Sequence, residues 1–140
     1  SAYGVKDAIM TALDSKDYDL GIVNFANADM VGHTGFLDAT IKAVEAVDAC
    51  VGEVVKKARA KGYEVIITAD HGNAECKIDP ITKQPFTSHT LNPVPFLIVS
   101  DRKYSLKAHG GLVNIAPTIL DLLGVPKPKE MTEESLIIRK

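Results

Sequence analysis

The apolar positions of this chain follow two spacings, one typical of buried strands and one typical of helices. Continuous apolar runs predict strands at residues 20–25, from residue 65 up to the Asp70–His71 pair, and at 94–99. Apolar residues three and four positions apart predict helices at residues 7–13, 36–61 and 114–124. The longest helix should end at Gly62 and the last at Gly124, and Asn114 is placed to cap the last helix.

The order of these elements predicts how they associate. The strand at residues 20–25, the long helix and the strand that begins at Val65 form a βαβ unit, whose crossover should be right-handed. Pro95 should place the third strand near an edge of the sheet, or lie at the start of that strand. Residues 1–140 are therefore predicted to be a single α/β domain.

Two stretches lack either spacing. Residues 26–35 contain two glycines and two nearby asparagines, so we predict a loop rather than a helix. Between Gly72 and Pro93 the apolar residues follow neither the strand spacing nor the helix spacing. An irregular stretch of about twenty residues in a compact domain is usually functional or mobile.

Composition excludes several classes of partner. The chain is 46% apolar and 24% charged, with a formal net charge of -2, and it has no basic patch suited to nucleic acid. No apolar run approaches the roughly 20 residues that span a bilayer, and no signal-peptide pattern opens the chain. Cys50 and Cys76 are isolated, which favours reduced thiols and a cytoplasmic protein.

Ligand-type side chains cluster in the loops beside the predicted strands. They are Asp29, His33, Asp70, His71 and His89. In open α/β sheets, ligands bind just beyond the carboxyl ends of the strands. Carboxylates combined with imidazoles suit Mn²⁺, Fe²⁺, Co²⁺ or Zn²⁺ better than Mg²⁺. His109 has no acidic neighbour in the sequence and is predicted to be a surface histidine.

The side chains of the adjacent Asp70 and His71 are expected to point in different directions from an extended backbone. They would then bind two ions rather than chelate one. Two neighbouring metals are a common device for phosphoryl transfer. The competing interpretation is structural: a strand-to-loop turn with solvated polar side chains, satisfied histidines and capping acids.

Four motifs closely resemble the cofactor-independent (2,3-bisphosphoglycerate-independent) phosphoglycerate mutases of the alkaline-phosphatase superfamily. The first is Asn-Phe-Ala-Asn-Ala-Asp-Met-Val-Gly-His-Thr-Gly at residues 24–35, and the second is Ile-Thr-Ala-Asp-His-Gly-Asn-Ala-Glu at 67–75. The others are Ser-His-Thr-Leu-Asn-Pro-Val-Pro at 88–95 and Ile-Ala-Pro-Thr-Ile-Leu-Asp-Leu-Leu-Gly at 115–124. The likeness runs nearly end to end and in the same order.

This resemblance implies an alkaline-phosphatase-like fold, in which helices flank a mixed, mostly parallel sheet. It implies manganese, two ions per complete site, with Mg²⁺, Co²⁺ or Zn²⁺ as alternatives. Asp29, His33 and His89 would hold one ion, and Asp70 and His71 the other. It also implies a reaction: 3-phosphoglycerate and 2-phosphoglycerate interconvert, in glycolysis and gluconeogenesis, through a metal-activated phosphoserine.

The chain departs from the family in three respects. Family members are several times longer, none of the six serines lies in the family's nucleophile motif, and no arginine-rich substrate clamp is present. We therefore expect residues 1–140 to be the C-terminal part of the phosphatase domain, with an incomplete fold. Alone, the chain should be inactive, and it should tend to self-associate through an exposed sheet edge. Alternatives are another enzyme of the superfamily, such as a phosphopentomutase or a phosphatase, and a stand-alone metal-binding module.

Overall fold

The structure is a computed structural model that describes residues 1–15 and 17–139. It contains two compact units, Ser1–Val99 and Ser100–Lys140. The first unit contains α1 (Ala2–Ser15), α2 (Asn27–Gly32), α3 (Leu37–Ala60), β1 (Val65–Thr68) and β2 (Phe96–Val99). The second contains α4 (Ile115–Leu123), preceded by a 3-10 turn at Leu112–Asn114. The prediction of a single domain over residues 1–140 stays a prediction.

The long helix α3 is the element on which the first unit is built. α1, α2 and β1 all pack against it. Ala58, which belongs to the predicted apolar stripe of α3, is buried, and so is Cys50, which lies outside that stripe. Near the start of the helix the stripe is less covered, since Ile41 and Val44 are exposed.

Charged side chains connect α1 to α3 along the outside of this core. Lys6 Nζ lies 2.9 Å from Glu53 Oε2, and Lys61 Nζ lies 3.0 Å from Asp14 Oδ1. The hydrogen bond from Lys57, followed by that from Lys61, lowers the pKa of the Asp14 carboxyl. These contacts link the two helices, although exposed ion pairs contribute little to stability.

The α/β class is confirmed, but the predicted parallel pairing is not found in the described residues. β1 and β2 form a two-stranded antiparallel sheet in which Val65 faces Val99 and Thr68 faces Phe96. The predicted strand at residues 20–25 is not a strand, so the βαβ prediction is wrong. A strand requires a hydrogen-bonded neighbour; this segment pairs with none of the described strands, and Ile22 is 82% exposed.

The loop predicted at residues 26–35 is also corrected. Its first half forms α2, in which the backbone N–H of Met30 donates to Ala26 at 2.9 Å. The glycines do not prevent this helix because they lie at its end. Gly32 is its last residue, and Gly35, with φ of 75°, belongs to the turn that follows.

Most of the other boundaries lie near those predicted. α1 is longer than residues 7–13, α3 matches residues 36–61 closely, and Gly62 follows α3 with φ of 88°. Residues 73–92 contain no helix or strand, as predicted, and have only isolated bridges such as Gly72 with Thr90. The outer edges of the sheet have no partner strand among the described residues, and self-association through such an edge stays a prediction.

In the second unit, the tail packs on α4. Leu136 and Ile137 are buried, and Ile137 bridges to Leu106. Gly124 ends α4 in the left-handed region, as predicted. The predicted side-chain cap from Asn114 is wrong, because a 3-10 turn precedes α4 and the Asn114 side chain instead accepts from Gly111 N at 2.8 Å. None of the helices in the described part of the chain is long and apolar enough to cross a membrane.

Thr118 is fully buried, and its hydroxyl donates to Asn114 O at 2.7 Å and accepts from Leu136 N at 2.9 Å. We expect Thr118→Val to cost about 1–3 kcal/mol in the free energy of unfolding, because the Leu136 N–H is left buried without an acceptor. Urea denaturation measures this loss. Thr118→Ser retains the hydroxyl and should lose less; a valine variant as stable as the original chain would contradict the assignment.

Candidate metal centre

The first two predicted ligands are brought together by α2, which the sequence had suggested was a loop. Asp29 lies in this helix and His33 directly follows it, at the i and i+4 positions that face the same side. The His33 backbone N–H donates to Asp29 O at 3.0 Å, and His33 Nε2 lies 3.2 Å from Asp29 Oδ1. The four-residue spacing was the signal for a helix here.

His89 reaches the same point from the irregular excursion. Its Nε2 lies 3.1 Å from Asp29 Oδ1 and 3.1 Å from His33 Nε2. The three atoms thus form a nearly equilateral triangle. Donor atoms around a six-coordinate first-row ion with bonds of about 2.1–2.2 Å are about 3.0–3.1 Å apart. The triangle therefore has the dimensions of one face of a metal coordination shell.

His71 adds a further imidazole to this group. Its ring stacks on His89, with centroids 3.6 Å apart and planes inclined by 18°, and its Nε2 lies 3.9 Å from Asp29 Oδ1. Asp29, His71 and His89 each offer a ligand atom within 4.8 Å of the others.

Asp70 lies at the outer side of this group, with its side chain 77% exposed. The expectation that Asp70 and His71 diverge is wrong, because Asp70 Oδ2 and His71 Nε2 lie 3.7 Å apart. β1 ends at Thr68, so the two residues follow a bend rather than an extended strand. This separation permits Asp70 and His71 to bind a common ion.

The orientation of the His33 ring determines what its inner nitrogen can do. His33 Nδ1 lies 2.7 Å from the carbonyl oxygen of Thr87. A carbonyl only accepts, so Nδ1 carries the proton, and in the neutral ring Nε2 presents a lone pair to Asp29 Oδ1 and His89 Nε2. Without a metal, a hydrogen bond between these atoms requires a proton on one of the two Nε2 atoms. A divalent cation satisfies all three at once, and imidazole with carboxylate is a donor set that first-row ions accept.

Asn73 holds the shared carboxylate in place. Its Nδ2 donates to Asp29 Oδ1 at 2.7 Å, and this bond is the largest cause of the lowered pKa of Asp29. The neighbouring imidazoles act in the same direction, whereas partial burial opposes them. Asp29 is consequently ionised at neutral pH, as a metal ligand must be.

Glu75 connects the two loops that carry His71 and His89. Its Oε1 accepts from the Thr90 hydroxyl and from Asn92 Nδ2, the latter at 2.9 Å. The backbone N–H of Thr90 also donates to Gly72 O at 2.9 Å. A Cβ on Gly72 would lie 2.2 Å from the Thr90 hydroxyl oxygen, so only glycine permits this approach. These contacts hold the excursion against the turn after β1.

The predicted ligand residues are therefore neighbours in the structure, while their division between two ions stays a prediction. Sequence reasoning assigned no role to Asn73, Glu75 or Thr90, although Asn73 and Glu75 follow the Asp-His pair closely in the same motif. His109 is exposed, as predicted.

The hydrogen bond from Thr90, with a smaller one from Asn92, lowers the pKa of Glu75. A carboxyl whose pKa is lowered by folding stabilises the fold above its unfolded pKa, and this contribution is lost as the pH falls through the folded pKa. We expect Glu75→Gln to be less stable than the original chain at neutral pH and to show a shallower loss of stability towards about pH 3.

Thermal unfolding in the presence of a chelator, followed from neutral to acidic pH, measures this difference. Glu45→Gln makes the same change on an exposed residue of α3 and reports the effect of removing a surface carboxylate. Parallel pH curves for the original chain and Glu75→Gln would refute the role given to Glu75.

Comparison with known proteins places the chain in a family. Residues 1–127 match the metalloenzyme superfamily. The chain is 53% identical over 137 residues to the 2,3-bisphosphoglycerate-independent phosphoglycerate mutase of Clostridium botulinum, and 56% identical over 137 residues to that of Staphylococcus epidermidis. Each alignment covers 98% of this chain and 27% of the relative.

A solved structure agrees with these similarities. Phosphoglycerate mutase of Leishmania mexicana, determined at low cobalt concentration, superposes with a TM-score of 0.89 at 35% identity, covering 99% of this chain and 28% of that one. The chain thus spans about a quarter of the length of the relatives it matches. The extent of the family match, together with the carboxylate and imidazole cluster, establishes that the chain belongs to the metalloenzyme superfamily.

Proposed function

We propose that this chain provides a metal-binding wall of the active site of a 2,3-bisphosphoglycerate-independent phosphoglycerate mutase. The observation that carries the proposal is the triangle of Asp29 Oδ1, His33 Nε2 and His89 Nε2, with edges of 3.1–3.2 Å. The similarity to mutases over nearly the whole chain supplies the reaction: interconversion of 3-phosphoglycerate and 2-phosphoglycerate.

Asp29, His33 and His89 would hold one divalent cation, and Asp70 and His71 would contribute to a second. A bound cation supplies positive charge that stabilises a transferring phosphoryl group. The chain's own contribution is preorganisation: Thr87 fixes the His33 ring, and Asn73 keeps Asp29 ionised and in place. The imidazoles are 26–48% exposed, so a phosphorylated substrate has access to this surface.

We further propose manganese as the ion, with cobalt, zinc or magnesium as substitutes, because two imidazoles and a carboxylate suit first-row metals. The cobalt in the description of the Leishmania mexicana structure supports an ion of this group. The reaction would place the protein in glycolysis and gluconeogenesis, in the cytoplasm. The free thiols of Cys50 and Cys76 are compatible with a reducing compartment.

The ligand assignment is tested by titrating the metal-free chain with Mn²⁺ and measuring binding by calorimetry. We expect one tight site per chain. Loss of a partner that only orients a ligand lowers metal affinity by roughly 10–100-fold. Asp29→Asn should lower the Mn²⁺ affinity by more than this, because Asp29 Oδ1 is the atom shared by the imidazoles. The matched control is Asp70→Asn, whose carboxylate is mostly exposed and should affect this site much less. Equal effects of the two variants, or two equally tight sites, would contradict the assignment.

The mutase activity is tested by grafting these residues into the Clostridium botulinum relative in place of the 137 residues that they match. We expect the folded chimera, supplied with Mn²⁺, to convert 3-phosphoglycerate into 2-phosphoglycerate, and the same chimera with Asp29→Asn to lose this activity. The 140-residue chain alone should be inactive, because the family's nucleophile motif is not among its residues. A chimera that folds and binds Mn²⁺ but does not isomerise the substrate would overturn the proposed function.

A further inference from the structure

Lys77 is a buried lysine close to the metal centre that the ligand set does not use. Only 5% of the residue is exposed, although lysine is rarely buried to this degree unless it has partners. Its ammonium donates to Gly32 O at 2.9 Å and to Asn73 Oδ1. Both acceptors are uncharged oxygens that belong to the surroundings of Asp29.

Asn73 connects Lys77 to the shared carboxylate. It is 4% exposed, its Oδ1 accepts from Lys77, and its Nδ2 donates to Asp29 Oδ1 at 2.7 Å and to Asp29 O at 3.3 Å. The two ends of an amide have the same shape but opposite polarity. An ammonium at one end and a carboxylate at the other allow only the orientation in which the NH₂ group faces Asp29. Lys77 therefore fixes the direction in which Asn73 donates.

The second acceptor of Lys77 lies at the end of the helix that carries Asp29. Gly32 O is one of the last carbonyls of α2, and besides Lys77 it accepts from the Gly35 N–H at 3.2 Å in the turn that follows. A Cβ on Gly32 would lie 2.6 Å from Asn73 Oδ1, so the close packing of this helix end on Asn73 requires glycine. The ammonium thus joins the end of α2 to the turn after β1.

We propose that Lys77 is a positioning residue for the metal centre. The bond to Gly32 O holds the ammonium beside Asn73, and by orienting Asn73 the ammonium keeps Asp29 Oδ1 at the point shared with His33 and His89. The proposal rests on the metal site proposed above and extends it to a residue outside the ligand set.

The direction in which Mn²⁺ affinity changes when Lys77 is replaced distinguishes a positioning role from a simple effect of its charge. An ammonium near a divalent cation repels it, so charge alone predicts that removing Lys77 strengthens metal binding. Positioning predicts the opposite. We expect Lys77→Met, which preserves length but removes the charge and the donors, to weaken Mn²⁺ binding by about 10–100-fold. Lys42→Met, the same change at an exposed site on α3, should leave the affinity unchanged.

A double-mutant cycle with Asn73→Ala tests whether Lys77 acts through the amide. If it does, Lys77→Met should have little further effect on Mn²⁺ affinity once Asn73 is replaced. Tighter Mn²⁺ binding by Lys77→Met, or additive losses in the cycle, would overturn the proposal.

A metal-free readout keeps this inference separate from the proposed function. Hydrogen exchange of the Asn73 side-chain amide, followed by NMR, should be slow in the original chain and in Lys42→Met, and fast in folded Lys77→Met. The exposed amide of Asn24 provides the reference rate. An original chain that binds no Mn²⁺ would defeat the proposed function alone. Two results would refute the positioning role. One is an Asn73 amide that exchanges as fast as the Asn24 amide in the original chain, which can be seen without any variant. The other is an Asn73 amide that stays protected in Lys77→Met.

Discussion

The arrangement of this site depends on one half-buried carboxylate oxygen, Asp29 Oδ1, around which imidazole nitrogens and an amide converge. Lone pairs and a negative charge repel one another at distances near 3 Å unless a proton or a cation lies among them. A proton on an imidazole nitrogen, or a bound divalent cation, must therefore lie among these groups, and the local structure brings them close enough for either to join them. This constraint explains why so many polar contacts surround a site whose ligands are partly exposed.

Those contacts come from three stretches that are far apart in the chain. α2 carries Asp29, the turn after β1 carries His71, and the irregular excursion carries His89. Bonds between the stretches determine their relative position: Thr87 O with His33, Asn73 with Asp29, and Glu75 with Thr90. An excursion without helix or strand can thus be ordered where it matters, because side chains provide the bonds that regular secondary structure provides elsewhere.

The sequence predicted the parts of this structure that depend on local pattern. The extent of α3, the strand before Asp70 and the glycine that ends α4 were all found in this way. The type of each candidate ligand was also readable, because acids and histidines stood next to predicted strand ends. Features that depend on distant partners were not. Residues 20–25 have the composition of a strand but no neighbour among the described strands, and the pairing of β1 with β2 is antiparallel. Asn73 and Lys77 gave no distinctive pattern, since an amide and a lysine acquire their roles only when folding places them beside Asp29.

The central claim is that Asp29, His33 and His89 bind one metal ion through the triangle of atoms that they form. Anomalous diffraction at the manganese edge, from crystals of the chain grown with Mn²⁺, tests it most directly. The account predicts an anomalous peak within bonding distance, about 2.0–2.3 Å, of Asp29 Oδ1, His33 Nε2 and His89 Nε2. A strong peak elsewhere, or these three side chains joined by hydrogen bonds with no peak between them, would contradict it.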